Sequence, residues 1–237
     1  MNLNKVTITG VDELTNIEEL ISLSAKYPYV EWGVLFSNSN QGLKPRYPKI
    51  EWIQNFVNEK NNHDLNIAAH LCGQIGKSIL VGDISIPKWV IKSFQRFQLN
   101  AVYPLVEVNK TVFWSLLNKS FEGKEIIFQL RNNEGNDQLF YETYNQFKGT
   151  EIKIVGLVYN SGGKGKEITK IPTYDNYPIA YAGGLNPDNV ESICKNIYET
   201  IGQKQFSIDM ESGVRDDKDY LDLKKVEQVL STINSLK

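Results

Sequence analysis

Short apolar runs alternate with amphipathic stretches from one end of the chain to the other. Eight runs read as strands: Val6–Thr9, Val30–Phe36, Leu65–Cys72, Phe94–Leu99, Glu125–Arg131, Lys153–Tyr159, Ile179–Ala182 and Phe206–Met210. They recur about every 30 residues, the size of a βα unit. Helical stretches fall between them. Leu14–Ala25 places Leu14, Ile17, Leu20, Ile21 and Leu23 near a 3.6-residue period. Ile50–Asn58 gathers Ile50, Ile53, Phe56 and Val57 on one face. Pro187–Ile201 opens on Asn186-Pro187-Asp188, an Asn cap followed by Pro at the first helical position. Tyr220–Leu236 carries Leu221, Leu223, Val226, Val229, Leu230 and Ile233. The segments after the third and sixth strands show no clear helical period.

Eight βα units in 237 residues predict an α/β protein with a single (β/α)8 TIM barrel spanning residues 1–237, a fold that usually takes about 250 residues. A doubly wound sheet would need fewer strands or a longer chain. No Pro/Gly/Ser-rich linker divides the sequence.

Composition narrows the function classes. A chain with 41% hydrophobic residues and a net charge of −2 is not disordered, and it lacks the basic balance of a nucleic-acid partner. No stretch approaches the roughly 20 apolar residues of a membrane span; the run Ile79–Val81 stops at Asp83 and Pro87. Met1–Lys5 leads into a strand and has no signal-peptide core. Two cysteines, Cys72 and Cys194, are too few for a disulfide scaffold, so a cytoplasmic location is expected. Oligomeric state has no readable signal. Among 26 basic residues only four are arginines: Arg46, Arg96, Arg131 and Arg215. Three sit at strand ends or in the following loops, where a rigid bidentate fork suits an anionic ligand. Codon bias accounts equally well for their scarcity.

In a barrel, chemistry gathers at the C-terminal strand ends. The seventh strand runs into Gly183-Gly184-Leu185-Asn186-Pro187, the eighth into Asp209-Met210-Glu211-Ser212-Gly213. Glycine lets a ligand approach the backbone, and the loops after strands seven and eight commonly hold phosphate. Gly183, Gly184, Ser212 and Gly213 are therefore the expected phosphate seat. Two ordinary Gly-containing turns would leave the same residues. On the third strand, alternation puts Ala68, His70 and Cys72 on the face opposite Ile67, Ala69 and Leu71. His70 titrates in a useful range, and a Cys beside a charged His can become a thiolate. A hydrogen-bonded core His beside a small buried Cys is the plainer alternative. His-x-Cys supplies only two ligands, so neither a metal nor an organic cofactor is expected. The same parity turns Thr7, Thr9, Glu31, Arg96, Gln98, Gln129, Arg131, Asn160, Asp209 and Glu211 inward. Such an interior is either a ligand pocket or an ion network within the core. Asp12, Glu13, Glu18 and Glu19 read as a solvated helix start, and the four tryptophans as packing residues.

The segment Ala182-Gly183-Gly184-Leu185-Asn186-Pro187-Asp188-Asn189-Val190, followed by Asp209-Met210-Glu211-Ser212-Gly213-Val214, resembles the phosphoribosylanthranilate isomerases. Weaker similarities run through Val6–Gly10, Gly33–Phe36 with Pro45-Arg46-Tyr47, Gln98-Leu99-Asn100 and Ser161–Lys166. The resemblance implies a barrel that binds a ribulose phosphate and performs an Amadori rearrangement on a ribose phosphate. It also implies that Arg46 holds the anthranilate carboxylate. In that family a Cys ending the first strand is the general base and an Asp ending the sixth is the general acid. Here Thr9 and Asn160 stand at those positions. Neither has a proton that moves near neutral pH.

The expectation is an isomerase or lyase acting on a phosphorylated sugar or sugar adduct. His70, Cys72 and Asp209 are its candidate catalytic residues. Arg46, Gln98, Arg131 and Glu211 are the candidate substrate contacts, and a small phosphorylated anionic ligand is the expected partner. The alternative is a non-catalytic phosphate-ligand-binding protein derived from the same family.

Overall fold

A computed structural model describes residues 1–101, 108–130, 134–159, 171–174 and 176–237. Its eight strands are β1 (Leu3–Thr9), β2 (Val30–Phe36), β3 (Ile67–Cys72), β4 (Arg96–Asn100), β5 (Glu125–Leu130), β6 (Lys153–Tyr159), β7 (Ile179–Ala182) and β8 (Phe206–Met210). They close into one barrel in chain order, every neighbour pair parallel. The expected (β/α)8 barrel is the observed fold.

The helices are α1 (Ile17–Lys26), α2 (Ile50–His63), α3 (Gln74–Leu80), α4 (Lys88–Ser93), α5 (Lys110–Ser120), α6 (Glu134–Phe147), α7 (Val190–Ile201) and α8 (Leu223–Leu236). Two of them, α3 and α4, share the β3–β4 connection. Helix starts differ most from the periodicity. Asn16, not the segment at Leu14, caps α1, and its side chain accepts from the Glu18 N–H. Asn186 makes the cap-type bond, its Oδ1 accepting from the Asp188 N–H at 2.8 Å and its carbonyl from the Val190 N–H at 3.0 Å, but a turn follows it and the regular helix α7 begins only at Val190. Asp12 is not on a solvated face. It is fully buried, 3.0 Å from Arg215 Nη2, and Arg215 Nη1 also donates to the Gly10 carbonyl at 2.6 Å. These bonds tie the β1 loop to the β8 loop and close the barrel's upper rim.

Strand alternation separates two interiors. The outward faces (Val6 and Ile8, Trp32 and Val34, Phe97 and Leu99, Phe128 and Leu130, Ile208 and Met210) pack under the helices in one large apolar core. Each fully buried large side chain there is worth roughly 1.5–3 kcal/mol. The inward faces differ around the ring. Ile127, Leu157, Ala180 and Ala182 make a small separate apolar cluster on the β5–β7 side. The β1–β4 side is polar. Low in the barrel, Arg96 bridges Glu31 and Glu125, with its Nε 2.5 Å from Glu125 Oε1. Thr7 Oγ1 donates to Glu31 at 2.9 Å, and Lys5 lies 3.3 Å away. Burial alone would raise the Glu31 pKa, but the charges of Arg96 and Lys5 and the Thr7 hydroxyl hold it below the usual range. The polar interior thus divides by depth. Its lower layer is an ion network, and its upper layer lines a cleft.

Candidate functional site

That cleft has a volume of about 600 Å³ and opens at the C-terminal ends of the strands. Small-ligand pockets commonly measure about 300–1,000 Å³. Thr9, His70, Gln98, Gln129 and Asp209 line its floor from β1, β3, β4, β5 and β8. The loops contribute Lys44, Arg46, Tyr47, Gly183, Gly184, Glu211, Ser212, Gly213 and Asp219. Ten of the expected residues therefore share one cleft: Thr9, Arg46, His70, Gln98, Gly183, Gly184, Asp209, Glu211, Ser212 and Gly213. Arg131 and Asn160 lie outside the described residues, as does the run at Gly162–Gly165. Cys72 sits beside the cleft, with its thiol 3.6 Å from both the His70 carbonyl and Asn100 Nδ2.

The two glycine loops meet. Gly183 and Gly184 have φ of 118° and 64°, a backbone region that L side chains rarely adopt. The Nδ2 atoms of Asn186 and Asn189 donate to the Gly184 carbonyl at 3.1 and 2.9 Å, which fixes the turn. Gly213, at the centre of the short 3-10 turn Ser212–Val214, lies directly against this loop. A Cβ there would lie 2.0 Å from the Leu185 carbonyl oxygen. Only glycine lets the loops touch.

The titratable floor residues occupy unusual environments. Thr9 Oγ1 donates to Asp209 Oδ1 at 2.6 Å. Burial raises the Asp209 pKa to about 6, against the lowering effect of hydrogen bonds from Thr9 and Gln98. His70 is fully buried, and burial drops its pKa to about 4, leaving the imidazole neutral at pH 7. Among the described residues neither ring nitrogen has a hydrogen-bond partner. Gly33 makes space for both side chains; a Cβ there would sit 2.8 Å from Thr9 Oγ1 and 3.0 Å from His70 Nε2. Burial pushes the Cys72 thiol up to about 11, so the expected thiolate beside a charged His does not form: the His is neutral and the thiol is protonated.

The raised Asp209 pKa gives a signed prediction. The unfolded carboxyl ionises near its ordinary value of 3.8, whereas the folded one waits until about pH 6. Across that window the folded state binds more protons, so this group's contribution to stability falls as pH rises. Asp209→Asn removes the penalty and keeps an acceptor for Thr9. The variant is expected to melt above the wild type at pH 7.5, and the gap should close toward pH 4. Thermal unfolding at the two pH values decides; a variant less stable than wild type at pH 7.5 contradicts the assignment.

Of the three described arginines, only Arg46 lines the cleft. Its Nε donates to Asp219 Oδ2 at 2.9 Å, its Nη2 to Asp219 Oδ1 and its Nη1 to Glu211 Oε1. Arg96 and Arg215 serve the ion network and the rim clamp, so strand-end placement does not mark all the arginines as ligand contacts. Lys44, Tyr47, Asn100, Gln129 and Asp219 were not expected as site residues. Tyr47 and Asn100 adjoin Arg46 and Gln98 in the family-like motifs, and Gln129 has inward parity. Asp219 carries no sequence signal at all. Among the described residues no group of three His, Cys, Asp or Glu side chains could hold a metal ion, and no helix is long and apolar enough to cross a membrane.

No family model matches the sequence, and no curated protein matches it. Solved structures do. Phosphoribosylanthranilate isomerase from Thermotoga maritima superposes with a TM-score of 0.61 at 20% identity, covering 98% of each chain. TrpF from Jonesia denitrificans gives 0.58 at 12% identity, over 98% of this chain and 97% of its own. A phosphoribosylanthranilate isomerase complexed with reduced 1-(o-carboxyphenylamino)-1-deoxyribulose 5-phosphate gives 0.57 at 16%, covering 98% of both. The chain is thus similar along nearly its whole length to the phosphoribosylanthranilate isomerase barrel, at identities that carry the fold alone.

Proposed function

We propose that this barrel binds a phosphate ester and acts as an isomerase or lyase on a phosphorylated sugar or sugar adduct, in the cytoplasm. The observation that carries this reading is the meeting of Gly183, Gly184, Ser212 and Gly213 in one cleft with a buried carboxyl, Asp209. Backbone N–H groups of the two loops seat the phosphate. Asp209, with a pKa near the working pH, takes a proton from the carbon beside a carbonyl or imine and returns it to the neighbouring atom. Thr9, at the family's base position, orients this carboxyl rather than replacing the base. Neutral His70 hydrogen-bonds the reacting oxygen, and Cys72 positions His70 through its carbonyl. Gln98 braces Asp209. The chemistry resembles that of the neighbours, with the proton-transfer group moved from β1 to β8.

Sugar phosphates, tested against the matching free sugars in a thermal-shift scan, check the binding. A ligand at 100 times its Kd adds about 2.7 kcal/mol, or roughly 5–10 °C for a chain of this size. A free sugar should give no shift. If no phosphate ester shifts the melting point, the reading fails. With a bound ester in hand, Asp209→Asn is expected to lower turnover at least about 100-fold; unchanged turnover removes Asp209 from the chemistry. Binding with no turnover of any bound ester would favour the second reading, a non-catalytic phosphate-ligand-binding protein. The neutral, fully buried His70 is the observation on that side.

A further inference from the structure

Arg46 has two carboxylates on one guanidinium. Asp219 takes the bidentate edge formed by Nε and Nη2, and Glu211 takes Nη1. The bidentate edge is the part of arginine that fits a carboxylate best. Here a residue of the same chain already fills it. Arg46 is nearly buried, with its side chain 11% exposed, whereas Glu211 and Asp219 are 36% and 40% exposed. The carboxylates, not the guanidinium, are the more accessible groups on this wall. Among the described residues Glu211 Oε2 makes no hydrogen bond. Among the described residues Lys44 and Tyr47 also line the cleft.

We propose that Glu211 and Asp219 make this wall a selector for hydrogen-bond donors, so that the preferred ligand carries a neutral or cationic donor group, an amine or amide, and not a carboxylate, away from its phosphate. The inference rests on the phosphate-ester reading above and sharpens its substrate class. An incoming carboxylate would meet an occupied fork and the like charges of Glu211 and Asp219, and like-charge juxtaposition at a recognition site disfavours the wrong partner. An ammonium or amide group would find an acceptor already placed. Glu211 is thereby a specificity-determining residue. It directly precedes Ser212 and Gly213, so a ligand held by its phosphate brings its polar groups within that residue's neighbourhood.

Titration calorimetry with four probes tests this on the intact protein: inorganic phosphate, glucosamine 6-phosphate, glucose 6-phosphate and 6-phosphogluconate. The three sugar probes share six carbons and a terminal phosphate; they differ in bearing an amine or a hydroxyl at C2 of the ring or, in the open-chain 6-phosphogluconate, a carboxylate at C1. Glucosamine 6-phosphate is expected to bind at least about ten-fold tighter than 6-phosphogluconate, with glucose 6-phosphate between them. In Glu211→Gln the ratio should fall several-fold. In Asp219→Asn, which frees part of the Arg46 fork, 6-phosphogluconate should gain. Equal affinities, or 6-phosphogluconate binding best to the wild type, overturn the proposal while leaving the phosphate seat intact. If none of the four binds, the phosphate reading fails and the proposal falls with it. Because the wild-type ranking alone decides, a variant that does not fold leaves the test standing.

Discussion

Arg96→Ala is expected to destabilise the barrel by about 3–5 kcal/mol, lowering the melting point by roughly 6–20 °C. Arg96 is 5% exposed and is the cation between Glu31, at 1%, and Glu125. Removing it strands a carboxylate that, among the described residues, only Lys5 and the Thr7 hydroxyl still reach. The pH dependence should identify the cause. In the wild type Glu31 titrates below its ordinary range, so its stabilising contribution is present above about pH 4.5 and is lost as pH falls through the lower folded value. In Arg96→Ala the burial effect dominates and raises the Glu31 pKa. The penalty then applies near neutrality and is relieved toward pH 4. Glu31→Gln in the same background should recover part of the loss. Denaturant melts across this range measure it. A cost under about 1 kcal/mol at pH 7 would show that the lower layer is not an obligate ion network.

Gly213→Ala is expected to abolish the phosphate seat, with affinity for ribose 5-phosphate falling at least about 100-fold, or 2.7 kcal/mol. The new methyl would overlap the Leu185 carbonyl oxygen at 2.0 Å and crowd Asn186 Cβ at 2.8 Å, so one loop must move off the other. The rest of the barrel does not depend on this contact, and the variant should still fold. Gly123→Ala is the control for an added methyl without a loop clash. It introduces a methyl at a positive φ of 71°, a backbone strain that Gly213→Ala does not carry, into open space far along the chain from both loops. Its expected cost is about 1 kcal/mol of backbone strain, with no change in binding. Calorimetry on the two variants separates loop geometry from general destabilisation. Equal affinities in the two would contradict the seat.

The fold was largely legible because each strand carries its own periodicity. Four strands, β2, β6, β7 and β8, match the apolar runs at both ends, and shared parity correctly turned Thr9, His70, Gln98 and Asp209 to one side. Helix starts were less legible. Asn186 makes the cap-type bond to the Asp188 N–H and also donates to the Gly184 carbonyl, but the regular helix starts only at Val190. Parity also could not report depth, and depth separates Arg96 in the ion network from Gln98 in the cleft, two residues along one strand. Partners distant in sequence were invisible. Nothing near Arg46 announces Asp219, 173 residues away, or suggests that Arg215 would bury Asp12. The protonation states of His70 and Cys72 follow from burial, which a strand pattern does not quantify.

Whether the β7 and β8 loops hold a phosphate is decided by crystals of the protein grown in, or soaked with, inorganic phosphate. Tetrahedral density is expected between Gly183–Gly184 and Ser212–Gly213, bonded by their backbone N–H groups and lost in Gly213→Ala. Phosphate bound elsewhere in the crystal, with this seat unfilled at saturating concentration, would contradict it.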